Sequence, residues 1–356
     1  MGIPTEIGPF IDSKLFSLKG KARAAFDLLL PRQSREKQDV SLGYFFRKRL
    51  GDEVVENLIE PLLSGIYSGD IDELSLMATF PQFYEVEQKH RSLILGMRKM
   101  RSKTPPAAKT TSMFVTLRNG LESLVARVEE LLPEQSVRKR TAIDKIEKKQ
   151  DGYELQLENG EKLYFDAVVI TSPHTSVRHM LRDYSFVNIL KDYPVTSVAN
   201  VAMAFDEEQV KFDYDGTGFV VSRNTDVNIT ACTWTNRKWP HTTPKGKALL
   251  RGYVGRPGQT DIVDAEDEEM IEAVLRDLKK MMRIEGKPLF YIVTRWKYAM
   301  PQYTVGHKFR IDALKSNLEI DLPGVFLAGS SFEGVGIPDC IQQAKHAVEQ
   351  VKAFFD

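Results

Sequence analysis

Gly324-Val-Phe-Leu-Ala-Gly329-Ser-Ser-Phe-Glu-Gly334-Val-Gly336-Ile-Pro338-Asp-Cys340-Ile341 lies near the end of the chain, and its reading decides the fold. The apolar run from Val325 to Ala328 suits a fully buried strand. Gly329, Gly334 and Gly336 follow, where the backbone can take positive φ or approach another molecule closely. Pro338 fits a first helical position, because the N–H it lacks has no partner there. Beyond it, Ile341, Ala344, Val348, Val351 and Phe355 recur at helical spacing, which predicts a C-terminal helix burying one apolar face. A strand, a glycine loop and a buried helix together direct free N–H groups and the positive end of a helix dipole at one point outside a sheet. An anion or a polar ring edge suits that point. The glycines alone fit an ordinary strand-to-helix turn as well.

Working outward, 195–300 reads as mostly β, with runs at 198–205, 218–222, 229–234, 249–254 and 289–296 and one acidic-led helix at 266–282. Such strands predict a mostly antiparallel sheet that can leave one face open for a ligand. Upstream, 167–170 is a short buried strand. Asn159-Gly160 turns a hairpin between 152–157 and 162–165. Strand 142–146 follows a helix built on Leu121, Leu124, Val125, Val128 and Leu131. Residues 101–113 are polar, carry a double proline and read as a loop at a domain boundary. The first third is helical: Ser41 caps a helix holding Leu42, Phe45, Phe46 and Leu50, which Gly51 closes. Four segments result, a helical one at 1–105 and others at 114–185, 190–310 and 311–356.

The chain has 356 residues, 42% hydrophobic and 28% charged, with 49 basic and 49 acidic side chains. No net charge points to nucleic acid. Two cysteines, Cys232 and Cys340, form no CxxC pair, which fits a reducing, cytoplasmic setting. No apolar run reaches the ~18 residues of a membrane span. The histidines His174 and His179 have the wrong spacing for a metal pair, and neither a nucleophile elbow nor a Walker A sequence occurs. A cofactor is therefore expected to carry the chemistry, and a flavin fits the terminal segment. A helix N-terminus stabilises the charge of a reduced isoalloxazine, glycines let backbone lie against the ring, and Trp296 could form a wall. Trp296 as a plain core residue is the competing reading.

Three stretches resemble the bacterial protoporphyrinogen and coproporphyrinogen oxidase family. They are 51–70 (GDEVVENLIEPLLSGIYSGD), 231–240 (ACTWTNRKWP) and 329–340 (GSSFEGVGIPDC). The resemblance implies an FAD-containing oxidase of haem biosynthesis with an α/β, mixed α+β fold of the amine-oxidase or p-hydroxybenzoate-hydroxylase-like type. Its parts would be an FAD domain, an antiparallel-sheet substrate domain and an all-helical domain. It implies six electrons taken from a porphyrinogen in three steps and passed to O2. Residue by residue, it implies that Gly329, Val335, Gly336 and Ile337 lie against the flavin. Trp296 is a further FAD contact, Ile143 reaches the adenosine end through its backbone, and Ile66 lines the porphyrinogen pocket. No residue acts as acid or base in this scheme, and other haem-pathway enzymes are the expected partners. The helical third resembles a domain called membrane-binding, so peripheral membrane association stays open.

One feature of the family is missing from the sequence, its opening strand, GxGxxG turn and helix. The chain reads as about a hundred residues short, where a dinucleotide-binding βαβ unit alone needs ~30. The expected consequences are exposed apolar sheet edges and weak FAD retention. Arg91, Arg98, Lys99 and Arg101 are candidates for a cationic rim holding propionates, against the alternative of a solvated helical face. Two other functional readings stand beside the oxidase: another amine-oxidase-type flavoenzyme, and an FAD-free porphyrin-binding remnant.

Overall fold

The structure, a computed structural model, describes residues 7–33, 38–103 and 115–356. It divides into two units, the first comprising 1–124 with 195–302 and the second 125–194 with 303–356. The first unit opens with helices α1 (Ile7–Asp12), α2 (Leu18–Ala25), α3 (Leu42–Leu50) and α4 (Asp52–Val54). After a π-type turn at Val55–Ile59 come α5 (Glu60–Tyr67), α6 (Leu76–Thr79), α7 (Pro81–His90) and α8 (Leu93–Lys103). Ser41 caps α3 as expected, its Oγ accepting from the Tyr44 N–H at 3.1 Å. Pro61 explains the wide turn. A proline ring inside an α-helix collides with the carbonyl four residues back and offers no N–H, and a looser turn just ahead absorbs both defects. The Glu60 N–H accordingly reaches back to the Val55 carbonyl. Leu42, Phe45, Phe46, Leu50, Val54 and Ile59 are fully buried, and Phe46 meets Phe83 edge-on at 5.1 Å.

Of the expected 101–113 loop, 101–103 close α8 and the rest lies outside the described residues. Helix α9 (Glu122–Leu131) forms where its apolar spacing predicts, yet none of its residues is buried, so Val125, Val128 and Leu131 stand exposed. In the second unit β1 (Ile143–Lys149), β2 (Gly152–Leu157) and β3 (Lys162–Phe165) make an antiparallel sheet turned at Asn159-Gly160. Strand β4 (Val168–Ile170) then leads to α10 (His174–Met180).

Back in the first unit come β5 (Val195–Asp206), β6 (Val210–Lys211), β7 (Gly218–Val220) and β8 (Ile229–Trp234), then α11 (Thr235–Lys238) and β9 (Lys247–Val254). Helices α12 (Asp261–Asp264) and α13 (Asp267–Met281) precede β10 (Arg283–Ile284) and β11 (Phe290–Pro301). Strands β11, β5, β9, β8 and β7 form, in that order, the antiparallel sheet expected from the β-type runs of 195–300. Met270, Ile271, Val274 and Leu278 of α13 bury against it with Val201, Met203, Phe205, Leu250 and Trp234.

The second unit ends with α14 (His307–Asp321), β12 (Val325–Leu327) and α15 (Ile337–Phe355). Strand β12 pairs in parallel with β4, Val325 opposite Val168 and Leu327 opposite Ile170. One expectation fails here. The apolar residues of α15 are not buried: Ile341 is 47% exposed, Val348 and Phe355 are open too, and Ala347 alone among its residues is fully covered. A parallel sheet of two short strands is narrower than the face of a 19-residue helix, so it covers only part of it. Val169 of β4 is exposed for the same reason.

Candidate cofactor and substrate sites

In the second unit the carboxyl ends of β4 and β12 both run into loops, the position where open α/β sheets bind ligands. The loop 329–336 is held at every station by side chains from elsewhere. Gln343 of α15 accepts from the Gly329 N–H at 2.9 Å and donates to the carbonyls of Glu333 and, at 3.4 Å, Gly334. Tyr303 donates to the Ser330 carbonyl at 2.7 Å, and His307 Nε2 meets the Phe332 carbonyl at 2.7 Å. A carbonyl only accepts, so His307 carries its proton on Nε2 and its Nδ1 accepts from the Tyr193 hydroxyl. The Tyr303 and His307 rings stack at 3.9 Å. The His174 N–H donates to Ser331 Oγ at 3.2 Å, tying the two strand-end loops together, and burial pushes the His174 imidazole pKa down.

Asp339, in the first turn of α15, accepts from the Gly336 N–H at 3.3 Å. Gly334 has φ +83°, and a Cβ there would lie 2.8 Å from that of Asp339, so the turn needs glycine twice over. Backbone without side chains at 334 and 336, with Ile337 exposed beside it, lies at the start of a long helix. A planar ring that becomes anionic fits there. Of the expected cofactor residues in this unit, Gly329, Val335 and Gly336 share one loop, and Ile337 opens the helix that follows it. Ile143 sits apart in sequence and topology, opening β1 opposite Leu157 just before a bulge at Asp144. Arg182 and His179 bind the Asp144 carboxylate there at 2.7 and 2.9 Å and hold its pKa below the usual range.

In the first unit, Trp296 is the last regular pairing partner of Val198 before the register of β11 shifts. Its ring is 46% exposed, which removes the core reading. Bulges of this kind re-aim side chains. Ile66 on α5 is likewise 45% exposed. Among the rim candidates, Arg91 spends a guanidinium N–H on the Leu28 carbonyl at 2.7 Å, Arg98 and Lys99 are exposed, and the Arg101 side chain lies outside the described residues.

Sequence reasoning missed a second cluster. A small cleft opens between α5 and the ends of β7, β8 and β9, lined by Glu60, Pro61, Gly65, Val221, Arg223 and Arg256 among others. Gly255, at φ +97°, brings the chain so close to the Ser197 carbonyl that a Cβ would lie 2.4 Å from it. This turn carries Arg256 inward to 6% exposure. Arg256 Nε donates to Gln259 Oε1 at 2.7 Å, and its Nη2 is buried without a hydrogen-bond partner. Arg223 donates to Asp70 Oδ2 at 3.0 Å, and its Nε lies 3.3 Å from Glu60 Oε1 but out of line for a hydrogen bond. Its Nη2 is also buried and unpartnered. Burial pushes the Glu60 carboxyl pKa up and the Arg256 guanidinium pKa down. No local pattern marks these cations in the sequence. Among the described residues no cluster of His, Cys, Asp and Glu could hold a metal ion, and no helix is long and apolar enough to cross a membrane.

A family model described as flavin containing amine oxidoreductase matches residues 1–352. The chain is 55% identical to the coproporphyrinogen III oxidase of Bacillus subtilis over 99% of its own length and 76% of that protein's. It is 44% identical to the coproporphyrinogen III oxidase of Staphylococcus aureus, over 99% and 77%. A solved structure from Exiguobacterium sp. 255-15, 41% identical, superposes with a TM-score of 0.88 over 99% of this chain and 76% of that one. Reduced UDP-galactopyranose mutase, 14% identical with a TM-score of 0.67 over 98% and 75%, shares the fold. The chain thus spans about three quarters of the length of these relatives.

Proposed function

From the premise that the chain belongs to the flavin containing amine oxidoreductase family, we propose that it is an FAD-dependent oxidase of haem biosynthesis. Its substrate is coproporphyrinogen III, with protoporphyrinogen IX as a second. The observation that carries this reading is the 55% identity, over 99% of this chain, to the Bacillus subtilis coproporphyrinogen III oxidase. Three O2 accept the six electrons and become three H2O2 as the porphyrinogen becomes a porphyrin. The enzyme works in the cytoplasm, in contact with a membrane only peripherally, beside other enzymes of the haem pathway.

FAD, when bound, supplies a hydride acceptor. The residues of the chain do the rest. Val335, Gly336 and Ile337 seat the ring, with Gly329 opening the same loop. The dipole of α15 favours negative charge at its first turn. Tyr303, His307 and Gln343 keep the loop in one shape, so its N–H groups need no reordering when charge develops. Trp296 supplies a flat wall, Ile143 meets the adenosine end through its backbone, and Ile66 borders the apolar substrate pocket. Orientation in that pocket, rather than an acid or base, sets the rate. The segments 114–185 and 311–356 serve the cofactor, and 1–105 and 190–310 serve the substrate.

FAD titrated into the purified chain, followed by coproporphyrinogen III and by a polyamine, tests the reading. Porphyrin fluorescence and peroxide should rise with the porphyrinogen alone. Turnover of the polyamine instead favours a different flavoenzyme. Porphyrin binding with neither flavin uptake nor turnover refutes the oxidase.

A further inference from the structure

The cleft in the first unit holds donors without acceptors. Arg223 and Arg256 line it together, and each has a buried Nη2 with no hydrogen-bond partner. Buried N–H groups are nearly always satisfied, and an orphaned charged donor is more costly than an orphaned neutral one. The internal ion pairs do not close the account. Asp70 takes Arg223 Nη1, Gln259 takes Arg256 Nε, and Glu60 stands near Arg223 without the alignment of a hydrogen bond. An acceptor that enters the cleft, an anion or a water, completes the set. Guanidinium forks match the two oxygens of a carboxylate.

Size and lining narrow the ligand. The cleft is small, with about 30 Å³ of enclosed space, so the end of one polar arm of a larger ligand can reach the guanidinium groups and a macrocycle cannot. Pro61, Gly65, Gly69, Val221 and Gly255 supply apolar or bare walls, suited to a short methylene stem ahead of the carboxylate. Gly65, in the cleft wall, and Ile66, assigned to the porphyrinogen pocket, are consecutive residues of α5. Resting on the porphyrinogen reading above, we propose that Arg223 and Arg256 clamp one propionate of the substrate. The clamp selects for carboxylate-bearing rings, a task given from sequence to Arg91, Arg98, Lys99 and Arg101. Glu60 keeps the two guanidinium groups in place while the cleft is empty.

The test is equilibrium binding of coproporphyrin III and of its tetramethyl ester, followed at the Soret band. The FAD-titrated wild-type chain is compared with Arg256→Gln and Arg223→Gln, and a thermal melt checks that each variant is folded. The clamp predicts that the wild type binds the acid at least tenfold more tightly than the ester. Each variant should lose about tenfold or more for the acid and nothing for the ester. Equal losses for acid and ester, or none, overturn the clamp while leaving the oxidase reading intact. If Arg256→Gln does not fold, Arg223→Gln decides alone by the same criterion. A wild-type chain that binds neither compound overturns the porphyrinogen reading and the clamp with it.

Discussion

Replacing Gln343 by leucine keeps the side-chain volume and removes the hydrogen bonds by which this side chain ties α15 to the loop 329–336. Three are lost: from the Gly329 N–H at 2.9 Å, and to the carbonyls of Glu333 and Gly334. Each typical bond is worth about 1 kcal/mol net, and a half-buried N–H left unsatisfied costs about 1–3. The long contact at Gly334 contributes little, so the loop should lose about 2–3 kcal/mol of preference for its present shape. At 1.4 kcal/mol per decade, FAD affinity should fall roughly 30–100-fold if flavin needs that shape. Titration of FAD by fluorescence quenching, with thermal melts alongside, reads both effects. Gln343→Glu keeps the acceptor for Gly329 but turns a carboxylate on two carbonyls, and should bind FAD no better than the leucine variant. If melting falls while FAD affinity stays at the wild-type value, the loop orders the unit without cradling the cofactor, and the reasoning fails.

Other perturbations have equally definite outcomes. Arg49 is fully buried between Asp27, 3.5 Å away, and Glu87, and donates to the Pro31 carbonyl at 2.8 Å. Arg49→Met should destabilise by about 3–5 kcal/mol because two carboxylates lose their countercharge, and adding Asp27→Asn and Glu87→Gln, which remove the charges and keep acceptors for the Ser92 hydroxyl and the Gln33 N–H, should restore part of it, read by denaturant melts. Lys145, and then Lys149, hold the Glu147 carboxyl at about 2, below its ordinary 4.5. Its contribution is therefore present above pH 4.5 and lost as pH falls towards 2, so the stability gap to Glu147→Gln should narrow over that window, and a gap constant with pH refutes the pairing. Burial pushes the Cys232 thiol up to about 12, leaving about one thiolate in ten thousand at pH 8. Mass spectrometry after iodoacetamide treatment should find Cys232 unmodified in the native chain and modified once it unfolds.

Elements set by neighbours in sequence were legible before any coordinates. Ser41 caps and Gly51 closes one helix, Asn159-Gly160 turns one hairpin, and the β-type runs of 195–300 gave the antiparallel sheet. The α/β fold of the amine-oxidase type follows from the three long stretches carrying the resemblance. Three kinds of feature were not legible. Helical spacing shows that α15 has an apolar face, but not that two short strands would leave Ile341 and Val348 uncovered. The supports of the glycine loop, Tyr303, His307 and Gln343, come from two other helices or their flanks and carry no motif of their own. Arg256 looks like any surface cation, since its burial depends on a glycine turn that passes another strand's carbonyl.

The loose turn at Val55–Ile59 holds one residue more than an α-helical turn needs. Everything from Glu60 onward is consequently swung by about 100° from where an unbroken helix begun at Asp52 would have put it. That angular offset lets Val54, Val55 and Ile59 face the hydrophobic interior while Glu60, Pro61 and Gly65 face the cleft. Shortening the segment by a single position would bring the two halves into phase, turn Glu60 away from both guanidinium groups, and leave Pro61 jammed against the carbonyl behind it.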